Sequence, residues 1–140
     1  MTKNLDKLNK VESVSAEVGF FENATYPEGK KVAEVAVVQE FGTDKIPPRP
    51  FIRNTIHTKR EDWVASFRDD IRLNLKNGNG LDLSKPMGRL AMRIVADIQD
   101  TIIETSTPPN APSTIKKKGF NNPLQHTNTM LDAVNWRLKK

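Results

Sequence analysis

The chain has no cysteine. Disulfides, thiol nucleophiles and thiolate metal sites are therefore excluded. Histidine is nearly as scarce: His57 and His126 are the only two, too few for a histidine-based metal centre. Aromatic residues make up 6% of the chain, and none interleaves with Lys116, Lys117 and Lys118, so the stacking platform of a single-strand binder is missing. Long apolar runs are absent as well. The longest is Val35 to Val38, far short of a membrane span, and the polar stretch Met1 to Lys10 lacks the apolar segment of a signal peptide. The expectation is a soluble, non-secreted, non-redox protein with no membrane partner.

Catalytic signatures are missing too. There is no phosphate-binding loop, no dinucleotide glycine fingerprint and no nucleophile elbow. Asn77-Gly78-Asn79-Gly80 reads as a linker. His57 reads as a polar residue at a helix entrance, and His126 has neither a nucleophile nor an orienting acid beside it. Asp69 and Asp70 are neighbours on a helix, about 100° apart around it, and read as a solvated pair on the outer face. The sequence is thus expected to carry no enzyme activity, with no catalytic, cofactor-binding or metal-ligating residues.

What is present is 140 residues, 36% apolar and 28% charged, with a net charge of +5. This is one domain's worth of chain with a modest core. The charge is unevenly placed. Residues 1–106 balance 16 basic against 16 acidic side chains, whereas residues 107–140 set Lys116, Lys117, Lys118, Arg137, Lys139 and Lys140 against Asp132 alone. A basic terminal quarter suits a solvated loop and chain end, an acidic protein partner or a nucleic-acid backbone.

Periodicity gives the elements. Val14, Ala16, Val18 and Phe20 alternate with polar or small residues, as in a half-buried strand. Lys30 to Phe41 carries four valines, which favour a strand, but Ala33, Ala36, Val37, Glu40 and Phe41 follow helical spacing and Gly42 suits a C-terminal cap. The helix is preferred. Thr58 and Glu61 match a capping box, opening a helix with an apolar stripe at Trp63, Val64, Phe67, Ile71 and Leu75 up to Lys76. Ser84 caps another helix, striped by Ala91, Ile94, Val95, Ile98 and Ile102. Met130 to Lys140 reads partly as a closing strand. The predicted architecture is α+β: a small antiparallel sheet, its first and last strands candidate neighbours, packed with about three helices and long proline-rich loops. Residues 1–13 are expected to be loosely ordered, residues 14–140 to form one domain, and residues 107–125 to form an extended loop.

The unusual feature is Glu40-Phe41-Gly42-Thr43 followed by Ile46-Pro47-Pro48-Arg49-Pro50-Phe51-Ile52-Arg53. Three prolines stiffen this strip and remove backbone donors. Two roles fit it: a rigid surface that loses little entropy on docking, or an internal strap over the core.

These residues, together with Val32-Ala33-Glu34-Val35-Ala36 before them, resemble the signature of a bacteriophage tail-completion or head–tail connector family, small virion morphogenesis proteins of tailed phages and prophages. A second similar stretch comprises residues 109–116, Lys118-Gly119 and Asn122-Pro123-Leu124. In the family it commonly continues Leu-Ile-Asp-Thr-Gly. Here His126 stands where the family has the acid and Asn128 where it has glycine, and asparagine can keep the positive φ that a turn needs. The likeness runs from about Val14 to Leu138.

The resemblance implies a structural subunit at the neck or head-proximal end of the tail, assembled in the host cytoplasm. It implies a homo-oligomeric ring around the DNA passage, of sixfold symmetry, contacting other neck, connector, tail-terminator or tail-tube proteins. On this reading Glu40, Phe41, Ile46, Arg49, Phe51 and Arg53 form an oligomer or partner interface. Arg49 and Arg53 would pair with carboxylates or carbonyls of a neighbour, and Phe51 would fill its apolar pocket. Lys116, Lys117 and Lys118 would face the DNA channel or an acidic neighbour. A tail terminator or a minor tail or tube subunit is the alternative station. A basic nucleic-acid-binding module is the alternative of another class.

Overall fold

The computed structural model describes residues 13–78, 82–105 and 128–139. Element order is β1 (Ser15–Gly19), α1 (Val32–Phe41), α2 (Phe51–Lys76), α3 (Ser84–Glu104), α4 (Thr129–Ala133) and β2 (Asn135–Lys139). The fold is α+β, as the periodicities predict. Residues 1–12 of the expected N-terminal segment, the 107–125 loop and His126 lie outside the described residues.

The first and last strands pair antiparallel, with Val18 opposite Trp136 and Glu17 opposite Arg137. The strand alternation sorts side chains between two faces. One face lies on α3, where the Trp136 ring sits so close to Gly88 that a β-carbon there would meet it at 3.4 Å. The other face is charged. Glu17 Oε2 accepts from Arg137 Nε at 2.8 Å and Glu17 Oε1 lies 3.1 Å from Lys139 Nζ. The hydrogen bonds from Lys139 and Arg137 hold the Glu17 carboxyl below its ordinary pKa. A carboxylate depressed in the folded state stabilises the fold above its unfolded pKa, and that contribution disappears as pH falls through the lower folded value. Glu17→Gln is therefore expected to lower Tm at neutral pH and to match the parent protein in acid. Thermal melts of both proteins across pH 2–7 check this, and a constant difference at all pH values would refute it.

The core gathers Val32 and Ala36 of α1, Phe51 of α2, Ile98 and Ile102 of α3, and Met130 and Val134 near β2. Phe20 meets Phe51 edge to face, with centroids 6.1 Å apart. The α3 stripe falls inward as predicted. The α1 face does not: Val32, Ala36 and Glu40 are buried, whereas Val37 and Phe41 are exposed. Helix α1 is apolar nearly all round, so spacing alone could not select the buried side.

Helices α2 and α3 form an antiparallel pair joined by polar contacts. Thr55 Oγ1 is 2.6 Å from Thr101 Oγ1, Trp63 Nε1 donates to Asp97 Oδ2 at 2.6 Å, and Asn74 Nδ2 donates to the Asp82 carbonyl at 3.0 Å. Asp70 lies 3.7 Å from Arg89, so it is not the solvated partner of Asp69 that adjacency suggested. The Asp82 carboxylate accepts the Ser84 amide at 3.0 Å. That makes Asp82, rather than Ser84, the residue whose side chain satisfies the start of α3.

Two further boundaries differ from the sequence reading. Helix α2 begins at Phe51, so Thr58 lies inside it and its hydroxyl donates back to the Asn54 carbonyl at 3.0 Å instead of capping. His57 is accordingly an exposed residue of the second helical turn. Residues Thr129–Ala133 are helical rather than extended. The preceding Asn128 adopts φ 60°, the left-handed conformation expected of it.

Candidate interaction site

The strip between α1 and α2 is a built unit. Gly42, with φ 72° and ψ 177°, turns the chain out of α1 and returns its amide to the Val38 carbonyl at 2.7 Å. Thr43 Oγ1 accepts the amides of Lys45 and Ile46, and the Thr43 amide donates to the Ile46 carbonyl at 2.8 Å. The strip then runs back along α1, where the Arg49 amide meets the Gln39 carbonyl at 2.6 Å. Pro50, at φ −77° and ψ 65°, makes an inverse γ-turn closed by Phe51 N–H to Arg49 C=O at 2.7 Å. Helix α2 starts there.

Pro50 cannot cap α2 with its side chain. Glu40 of α1 does so instead. Its Oε1 accepts the Ile52 amide at 2.8 Å and its Oε2 the Arg53 amide at 3.3 Å. The carboxylate, 6% exposed, also binds Arg53 Nε at 2.7 Å. A negative group at a helix N-terminus answers both the orphan amides and the helix dipole. Arg53 closes the loop by donating Nη2 to the Glu40 carbonyl at 2.7 Å.

The six strip residues therefore divide. Glu40 is buried and serves this chain's own helix. Phe51, 1% exposed, fills a pocket in its own core, so its side chain does not extend to a neighbour; burying it is worth roughly 1.5–3 kcal/mol. Arg49 also turns inward, donating Nη1 to Gln39 Oε1 at 3.0 Å, and burial pulls its guanidinium pKa down. Ile46 is half-buried. Only Phe41 and Arg53 stand at the surface, with the guanidinium carbon 4.7 Å above the Phe41 ring centroid. The strip is an internal strap that displays only Phe41 and Arg53 of the six predicted contact residues. Lys116, Lys117 and Lys118 lie outside the described residues.

Sequence spacing missed the neighbours of Phe41 that share its surface. Val37 is 57% exposed, and Glu34 is exposed one turn before it. The signal was there in α1, where Val-Ala-Glu-Val-Ala-Val-Val offers more apolar positions than one buried face can use. No group of three or more acidic or histidine side chains fit to hold a metal occurs among the described residues. No helix among them is long and apolar enough to cross a membrane. No family model, curated protein or solved structure matches the chain.

Proposed function

We propose that the chain is a structural subunit of a tailed-phage virion, placed at the neck or head-proximal end of the tail, where repeated copies ring the DNA passage. The observation that carries this reading is the ordered series from Glu40 to Arg53, whose resemblance to the tail-completion and connector signature falls on one interlocked strap. Each unusual residue in it has a local job: Glu40 caps, Gly42 turns, Pro50 starts the helix and Arg53 ties back to Glu40. Such a strap fixes the angle between α1 and α2 and presents Phe41 and Arg53 in a set pose. Surplus apolar surface adds support, since Val37, Phe41, Val64, Leu73 and Met92 are each about half exposed or more. A subunit that functions by repetition covers such surface on assembly.

Electron microscopy of lysates from a phage lacking this gene tests the proposal. Separate filled heads and finished tails are expected. Overlong tails would move the assignment to a terminator. Normal infectious particles would refute a virion role and turn attention to duplex-DNA binding, recognisable by a steep salt dependence.

A further inference from the structure

Helix α2 is fastened firmly at one end only. Its start is held twice. Glu40 of α1 accepts the Ile52 and Arg53 amides, and Phe51 is sealed in the core. The hydrophobic cluster takes Phe51 and Ile52 from α2 and nothing further along it. From α3 the same cluster takes Ile94, Val95, Ile98 and Ile102. Past Thr55, only Trp63 and Asn74 of α2 are buried. Phe67 and Ile71 are half-buried, and Val64, Leu73 and Leu75 stand about half exposed. Most of α2 thus lies outside the core.

Its main neighbour is α3, and the seam between them is rich in polar contacts. Thr55 meets Thr101, Trp63 donates to Asp97, Asp70 faces Arg89 and Asn74 donates to the Asp82 carbonyl. Water takes over such partners when two helices part, so each hydrogen bond adds little net stability. The Asp70–Arg89 pair, at 3.7 Å with the arginine half exposed, adds less still. Trp63 is the exception. Its side chain is buried and its indole N–H reaches the Asp97 carboxylate at 2.6 Å, and a hydrogen bond to a charged acceptor is roughly twice as strong as a neutral one. Helix α3 is anchored from its other side. Both strands lie on it, the Trp136 ring closes on Gly88, and Gln99 donates to the Leu131 carbonyl at 3.2 Å.

We infer that α2 from Trp63 to Lys76 is a latched arm, which leaves α3 while the core and the strap stay folded, with Trp63 on Asp97 as its latch. Elements that rearrange on binding are drawn from the least stable parts of a fold, where few apolar contacts are buried. The arm meets that description. This device does not depend on where in a virion the chain sits.

Hydrogen exchange of the full chain, read residue by residue, tests it. Amides from Ser66 to Arg72 are expected to exchange at one common rate, at least about tenfold faster than those of Ile98 and Ile102, and with a weaker denaturant dependence than global unfolding shows. Asp97→Leu leaves the indole N–H without its acceptor and is expected to speed the arm amides by a further ten- to a hundredfold, roughly the range of a hydrogen bond to a charged group, with Ile102 and α1 unchanged. Asp97→Asn keeps an oxygen for the indole and is expected to give a smaller increase. One rate shared by arm and core in the parent protein would overturn the arm, because α2 would then leave only with the whole fold. Rates graded inward from Lys76 would overturn it too, as fraying of a helix end. Asp97→Leu speeding arm and core alike, or neither, would overturn the latch.

Discussion

Glu40→Ala is expected to destabilise the protein by about 2–4 kcal/mol, from the lost helix cap, the cavity left by a buried side chain and an ion pair whose arginine is half exposed. Several losses coincide at this position. The amides of Ile52 and Arg53 lose their acceptor at the start of α2, and Pro50 offers no side chain to replace it. The Arg53 guanidinium loses its carboxylate. Removing the buried side chain also leaves a void at the first turn of α2, which relaxes only in part. Glu40→Gln keeps one oxygen for the Ile52 amide but turns an amide group or a weaker acceptor toward Arg53, so its cost falls between those of Glu40→Ala and Arg53→Ala. Arg53→Ala is the mildest, because the arginine side chain is 55% exposed and the two backbone amides still satisfy Glu40. Denaturant unfolding of the three variants checks this order, with Glu40→Ala the most destabilised, Glu40→Gln next and Arg53→Ala the least. Equal costs for Glu40→Ala and Arg53→Ala would mean that the ion pair, and not the capping of α2, dominates.

This cap also explains what the sequence could and could not reveal. The α3 stripe was legible because α3 is amphipathic with one apolar side, so period and burial coincide. Each strand was legible because alternation needs no knowledge of distant residues, whereas their pairing joins residues more than a hundred apart and was only a candidate in the sequence. The start of α2 was not. Local rules pointed to Thr58 and Glu61, whereas the amides are satisfied by a carboxylate from the preceding helix, 12 residues before the Ile52 amide it accepts. Capping by a residue on another element leaves no fixed spacing to detect. The candidate interface shows the same limit. Composition marked Arg49, Phe51, Phe41 and Arg53 alike, yet the turn at Pro50 sends Phe51 and Arg49 inward and leaves Phe41 and Arg53 outside. Only the path of the strap makes that division, and the path depends on a glycine.

That glycine is Gly42, and Gly42→Ala is expected to cost about 3 kcal/mol or more, from two terms that add. Its φ of 72° with ψ 177° lies in a region almost confined to glycine, where another residue costs on the order of 1–3 kcal/mol. Its backbone is also approached closely: a β-carbon would stand 2.7 Å from both the Ile46 carbonyl oxygen and the Pro48 nitrogen, and 2.9 Å from Pro48 Cδ. These neighbours are backbone atoms and a proline ring, so none can swing away, and overpacking of this kind costs roughly 1–3 kcal/mol more. Gly29 separates the two terms. It also has positive φ, 92°, but nothing lies within 4 Å of its would-be β-carbon, so Gly29→Ala carries the conformational cost alone. Thermal melts of both variants are expected to rank Gly42→Ala well below Gly29→Ala, with Tm lowered by roughly 10 °C or more for the former. Matching losses would show that the strap yields and that the close approach at Ile46 and Pro48 is not rigid. A larger loss at Gly42 would show that the strap holds its path, so that Phe41 and Arg53 are displayed by a fixed backbone.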